Sequence, residues 1–226
     1  MHLTQASGRR EPAARWSTRT PLATSATRIV VSMFGALVAF AGMEHGVGEI
    51  LQGPVAPAGL AIRSWPDVGA FEILGGEPAM TVIPNLLVTG VLAVIVALMF
   101  GIWSVMFVER PRGGLVLIAL SVLLLLVGGG FGPVLMGIVL GIAATRIGAV
   151  SRRPPGGVGR AMARVWPWVM AVGVLGYLAL VPGLVVLSWL FAVNDPNLVL
   201  VLSVVSFAAL VLAPVAARAH DRTQAG

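Results

Sequence analysis

Between Arg112 and Arg146 the chain runs for 33 consecutive residues without a charged side chain. A soluble fold would have to bury such a stretch on every side and still cover itself with polar surface. The supply is too small: 11% of the residues are charged, against about 25% in an ordinary soluble domain. Hydrophobic residues make up 58% of the chain and its mean hydropathy is +0.95. The remaining solvent is lipid, where the backbone must satisfy its own hydrogen bonds. The expected fold is therefore all-α, a polytopic transmembrane helical bundle.

A single helix through the uncharged stretch would be about 50 Å long, whereas the hydrocarbon core is about 30 Å thick. Gly128-Gly129-Gly130-Phe131-Gly132-Pro133 sits near its middle. Interior Gly costs about 1 kcal/mol and Pro about 3 kcal/mol, so this run predicts a break. Two short spans follow, at about 115–129 and 133–147. Four further apolar blocks predict spans at about 29–46, 82–108, 168–193 and 198–217, six in all within a membrane domain of residues 28–217. Pro182-Gly183 is expected to kink the fifth span. Residues 47–80 form the long outer loop.

The arginines orient this arrangement. In the six-span order, all 15 basic residues, every one an arginine, fall on one side except Arg63. Treating 113–145 as one span splits them almost evenly. The positive-inside rule selects six spans with both termini cytoplasmic. The polar stretch 1–27 then reads as a disordered basic tail and 218–226 as a second cytoplasmic tail. Arg9-Arg10 is followed by Glu11-Pro12 rather than by the apolar stretch of a twin-arginine export signal, and the long tail and the further apolar blocks argue that the first span is retained.

The net charge of +6 does not point to nucleic acid, because no basic residues are interleaved with aromatics in a folded module. The bilayer is the expected partner. Cysteine is absent, which excludes disulfides and thiolate chemistry. Arginine-only basic usage with abundant Ala, Gly and Val matches a GC-rich bacterial genome, so the expected location is the bacterial plasma membrane.

One constellation carries chemistry. Glu44, His45 and Glu49 lie at the outer end of span 1 in Met43-Glu44-His45-Gly46-Val47-Gly48-Glu49. Glu44 is 16 residues beyond Arg28, about 24 Å along a helix and near the outer hydrocarbon boundary. His45 and Glu49 share a helix face if the helix survives Gly46 and Gly48. Ionisable groups at membrane depth face protein or water, so the cluster is a candidate proton-coupled, cation-binding or metal site. The blander alternative is that these groups hydrogen-bond the outer loop or are solvated at the headgroups. Asn85, near the start of span 2, is included as a candidate polar residue on the same outer face. Glu72 and Glu77 of the loop are candidates to join it, with solvation the simpler expectation.

No phosphate-binding loop, nucleophile elbow or HExxH pair occurs, so no catalytic residue, metal or cofactor is assigned. The leading expectation is a small-molecule or ion transporter or channel. A non-catalytic membrane subunit or scaffold is the alternative, and a membrane-embedded metalloenzyme the third. Small residues at 35, 39, 42 and 46, and the pair Gly137 and Gly141, predict close helix contacts, within the chain, with a membrane partner or between copies.

Overall fold

The computed structural model describes residues 25–149 and 156–224. Residues 1–24 of the expected tail at 1–27, together with Arg152, Arg153 and residues 225–226, lie outside the described residues, while Ala26 and Thr27, expected in the tail, are helical. The chain is mostly helical. Four helical segments are long and apolar enough to cross a membrane: Ala26–Gln52, Leu86–Phe107, Gly157–Phe191 and Pro196–Gln224. Two shorter apolar helices, Gly113–Leu126 and Phe131–Ala144, occupy the uncharged stretch.

Helix α1 (Ala26–Gln52) starts at Ser25, whose side chain accepts from the Arg28 amide. The opposite end of the chain reinforces this start. Asp221 accepts from the Ala26 amide at 2.7 Å, from the Ser25 hydroxyl at 2.7 Å and from the Thr27 hydroxyl at 2.6 Å. The carboxylate thus satisfies amide donors that every helix N-terminus leaves free. At the other end α1 continues past Gly46 and Gly48, where propensity alone argued for a break. It stops at Gly53, which has a positive φ of 82°.

Tertiary packing explains the continuation. A Cβ on Gly46 would stand 2.7 Å from the Gly90 carbonyl oxygen, and one on Gly90 would overlap the Gly46 carbonyl. Gly90 lies in α3 (Leu86–Ile102), which continues as a wider π-helical turn over Trp103–Phe107. The two backbones therefore touch, and their close packing outweighs the roughly 1 kcal/mol that each glycine costs a helix.

Between α1 and α3 the chain forms an antiparallel hairpin of β1 (Ala61–Arg63) and β2 (Pro78–Met80), with a short helix α2 (Gly69–Glu72) at its tip. The register pairs Ala61 with Met80 and Arg63 with Pro78.

Helices α4 (Gly113–Leu126) and α5 (Phe131–Ala144) pair about the predicted glycine break. Their contact runs through Gly114 and Gly141, where a Cβ on Gly141 would stand 2.9 Å from the Gly114 carbonyl oxygen. The turn between them is tied to the hairpin. The Gly128 amide donates to the Met80 carbonyl at 2.9 Å, and the Val82 amide to the Leu126 carbonyl at 3.0 Å.

Helix α6 (Gly157–Leu178) passes through a π-helical turn, Ala179–Gly183, into α7 (Leu184–Phe191). Pro182 sits in that turn, so the expected irregularity appears as a local widening of the helix. Helix α8 (Pro196–Gln224) packs along α6. Both helices extend beyond the stretches marked as spans at 168–193 and 198–217. The extensions support each other: the His220 ring lies 5.6 Å from that of Trp166, and its Nδ1 is 3.2 Å from the Ala163 carbonyl.

Helix α1 is the hub, packed against α3, α5 and α8. Phe34, Phe100, Leu117, Leu124, Leu140 and Leu210 fill the interior. Large apolar side chains such as Met106, Leu135, Trp168, Trp189 and Leu200 point outward. A helical chain that is apolar on both its inner and outer faces has the makeup of a membrane protein.

Candidate functional site

The last turns of α1 carry Glu44, His45 and Glu49, and the hairpin folds back over them. The Gln52 amide nitrogen pins the returning strand by donating to the carbonyls of Arg63 at 3.1 Å and Ser64 at 2.9 Å. The strand lies so close that a Cβ on Gly48 would overlap the Ser64 carbonyl. Hairpin hydrogen bonds continue beyond β1: the Ser64 amide donates to the Glu77 carbonyl and the Trp65 amide to that of Gly76. Ser64 and Glu77 are thereby cross-strand neighbours, and both face α1. Trp65 stacks on Phe71, ring centroids 4.5 Å apart, which fixes the tip of the hairpin.

A relay connects these residues. Ser64 Oγ donates to Glu49 Oε1 at 3.3 Å and lies 2.8 Å from His45 Nδ1. When the single hydroxyl proton is given to an ionised Glu49, the oxygen is left to accept, and that arrangement selects the tautomer with the proton on Nδ1. The other ring nitrogen, Nε2, lies 3.1 Å from Glu77 Oε2. With Nδ1 as donor, Nε2 presents a lone pair to a carboxylate oxygen. Two acceptors at that distance require a proton or a cation between them.

Glu44 deepens the imbalance. Both its carboxylate oxygens are buried and neither accepts a well-aligned hydrogen bond, the neighbouring donor being the buried Trp65 indole N–H. One ligand atom each from Glu44, His45 and Glu77 lies within 4.8 Å of the others. No arginine compensates: among the described residues the arginine–carboxylate pair is Arg28–Glu109, and the His45–Glu77 contact becomes an ion pair only when His45 is protonated. His45 is 2% exposed and Glu49 is fully buried. In a medium of low dielectric, carboxylates held without counter-charge cost several kcal/mol each.

Glycines make the close packing possible. A Cβ on Gly128 would overlap both Glu49 oxygens, and one on Gly130 would overlap His45 Nε2. Both have positive φ, 93° and 79°, a region that side chains disfavour. The glycine turn between α4 and α5 therefore roofs the cluster as well as reversing the chain.

Beside the cluster opens a cavity of about 400 Å³. Glu44, His45 and Glu77 form its polar end, and its walls are chiefly apolar, from α1, α5, α6 and α8. Two buried hydroxyls without partners, Tyr177 and Ser206, also line it. Such a volume matches a small-molecule site with a few converging polar groups.

No family model matches this chain, and neither does any curated protein or solved structure compared with it.

Of the candidate residues, Glu44, His45 and Glu49 come together as one unit. Asn85 does not join them: its Oδ1 accepts from the Val88 amide at 3.1 Å, capping α3. Glu77 joins through the hairpin, while Glu72 stays exposed on α2. Reading the residues in order missed Ser64, Gln52 and Tyr177. Ser64 and Glu77 had a faint signal in the Gly75-Gly76 pair, a turn element that sends the chain back over its own start. Tyr177, 133 positions after Glu44 in the sequence, carried none.

Proposed function

We propose that this is a six-span protein of the bacterial plasma membrane, with both termini cytoplasmic, that binds a small cation at the outer end of its bundle and acts as an ion or small-molecule transporter or channel. The observation that carries the proposal is the convergence of three acceptors, the Glu44 carboxylate, His45 Nε2 and the Glu77 carboxylate, with no arginine paired to them among the described residues. A cation supplies the missing positive charge. The six-span count rests on the one-sided arginines and on the glycine turn separating α4 from α5. Those helices are short, about 21 Å each at 1.5 Å per residue. Their turn meets α1 at the level of His45 and Glu49 and thereby roofs the site.

The membrane-embedded metalloenzyme is a second reading, favoured by the cavity. A cation in transit needs no apolar chamber of about 400 Å³ beside it, whereas a bound substrate does. The scaffold reading leaned on small-residue helix faces, and these are occupied internally, Gly46 against Gly90 and Gly114 against Gly141. A membrane partner or second copy would have to use another face.

The test is proton and cation flux into proteoliposomes for native protein, Glu44→Gln and His45→Ala. The proposal expects native flux above that of empty liposomes, cut at least tenfold in both variants. Native flux no higher than that of empty liposomes would overturn the transport reading.

A further inference from the structure

The geometry points to a divalent transition-metal ion as the cation, bound by Glu44, His45 Nε2 and Glu77, with Glu49 and Ser64 as positioning residues behind the imidazole. The inference rests on the cation-binding reading above and narrows its ligand.

Metal–nitrogen and metal–oxygen distances of about 2.0–2.2 Å place neighbouring ligand atoms roughly 3–4 Å apart. The three candidate atoms lie within 4.8 Å of one another, and His45 Nε2 and Glu77 Oε2 are already at 3.1 Å. Small movements of side chains bring all three onto one ion.

The orientation of His45 is an independent argument. A metal-binding imidazole usually donates its other N–H to a fixed acceptor, which sets the tautomer and the aim of the ring. Here Nδ1 faces Ser64 Oγ at 2.8 Å, and Ser64 is held in turn by Glu49 at 3.3 Å. That relay turns Nε2 toward Glu77, 3.1 Å away, with Glu44 in the same cluster. Gly130 lets the turn close over Nε2 itself, since a Cβ there would overlap it.

Ligand type narrows the metal. Calcium takes about 6–8 oxygen ligands and has little use for a buried imidazole. Soft ions such as Cu(I) favour thiolate or thioether sulfur, whereas the three converging ligand atoms are one nitrogen and two oxygens. One imidazole and two carboxylates suit Zn²⁺, Mn²⁺ or Fe²⁺. Two carboxylates and a neutral imidazole carry a formal charge of about −2, which a divalent ion cancels at a depth where net charge is costly.

A second observation points to a ligand. The Tyr177 hydroxyl lines the same cavity, lacks a partner and belongs to a residue 5% exposed. Three protein ligands leave at least one coordination position open. The cavity that Tyr177 shares with Glu44, His45 and Glu77 would give a ligand at that position room.

The experiment uses the full-length protein in mild detergent, stripped with EDTA and titrated with Zn²⁺, Mn²⁺ and Co²⁺ by calorimetry and metal analysis. One equivalent of Zn²⁺ or Mn²⁺ should bind, weakened at least 100-fold in His45→Ala and Glu77→Gln. Ser64→Ala should weaken binding about 10- to 100-fold. It should also shift the visible Co²⁺ spectrum, a change that general loosening of the fold would not produce. Glu77→Gln alters a loop carboxyl by one atom, which keeps the test meaningful if His45→Ala fails to fold. Absence of divalent binding, or equal binding by native protein and Glu77→Gln, overturns the inference. Glu44-dependent sodium or proton flux without divalent binding would do so too, while sparing the cation reading. Metal binding with flux at the empty-liposome level would retain the metal site and remove the transport role.

Discussion

Gly130 lies directly against the His45 ring, so closely that a Cβ at Gly130 would overlap Nε2. Gly130 also has a φ of 79°. Its replacement by Ala therefore meets two penalties, left-handed backbone and displacement of the imidazole. Gly130→Ala is expected to destabilise the protein by about 1–3 kcal/mol and to weaken cation binding. Gly53→Ala is the control: its φ is also positive, but nothing lies near its added Cβ. It should lower thermal stability in detergent while leaving cation binding unchanged.

Asp221 joins the two ends of the described chain, accepting from Ala26, Thr27 and Ser25. Asp221→Ala removes charge-assisted hydrogen bonds and leaves N-terminal amides of α1 unanswered. A loss of about 1–3 kcal/mol is expected, read as a lower unfolding midpoint in detergent. Cation binding at the far end of α1 should change less than twofold. A large loss of binding would show that the ends of the bundle are coupled.

The contact between Gly46 and Gly90 brings two backbones together. Gly46→Val has no room, because its Cβ would stand 2.7 Å from the Gly90 carbonyl. Separation of α1 from α3 should cost about 2–4 kcal/mol, seen as lower yield of folded protein and an earlier thermal transition. Gly59→Ala, where an added Cβ meets nothing, should be indistinguishable from native.

The fold and the site were legible to different depths. The apolar blocks announced the helices, and the glycine run at 128–132 announced the reversal between α4 and α5. The α1 cluster was legible because Glu44, His45 and Glu49 are ionisable groups in a block that otherwise excludes charge. The continuation of α1 through Gly46 and Gly48 was not. It depends on Gly90, 44 positions further on in the sequence, and local propensity has no knowledge of that packing. Asn85 illustrates the reverse error. As an Asn just before an apolar helix it carried a strong N-cap signature, and capping is how its side chain is used. Tyr177 reaches the cavity through helix packing, which no short window of sequence encodes.

Topology gives a further prediction. An accessibility tag placed after Gly75, in the hairpin, should react from outside the cell. Tags at Arg112 and at the end of α8 should react only from the cytoplasm. A hairpin tag reacting solely from the cytoplasm would invert the orientation.

The central claim, that the Glu44, His45 and Glu77 acceptors are built to hold a cation, is most directly tested by thermal unfolding of EDTA-treated protein. Native protein is compared with Glu44→Gln, with and without Na⁺, Ca²⁺, Zn²⁺ or Mn²⁺. A buried carboxylate without a partner destabilises the fold, so the variant should be more stable than native protein when no cation is added, by about 1–3 kcal/mol. At least one cation should then stabilise native protein, by about 2.7 kcal/mol at a concentration 100 times its Kd, and stabilise the variant far less. A Glu44→Gln protein no more stable than native, with both responding equally to every cation, would contradict the account.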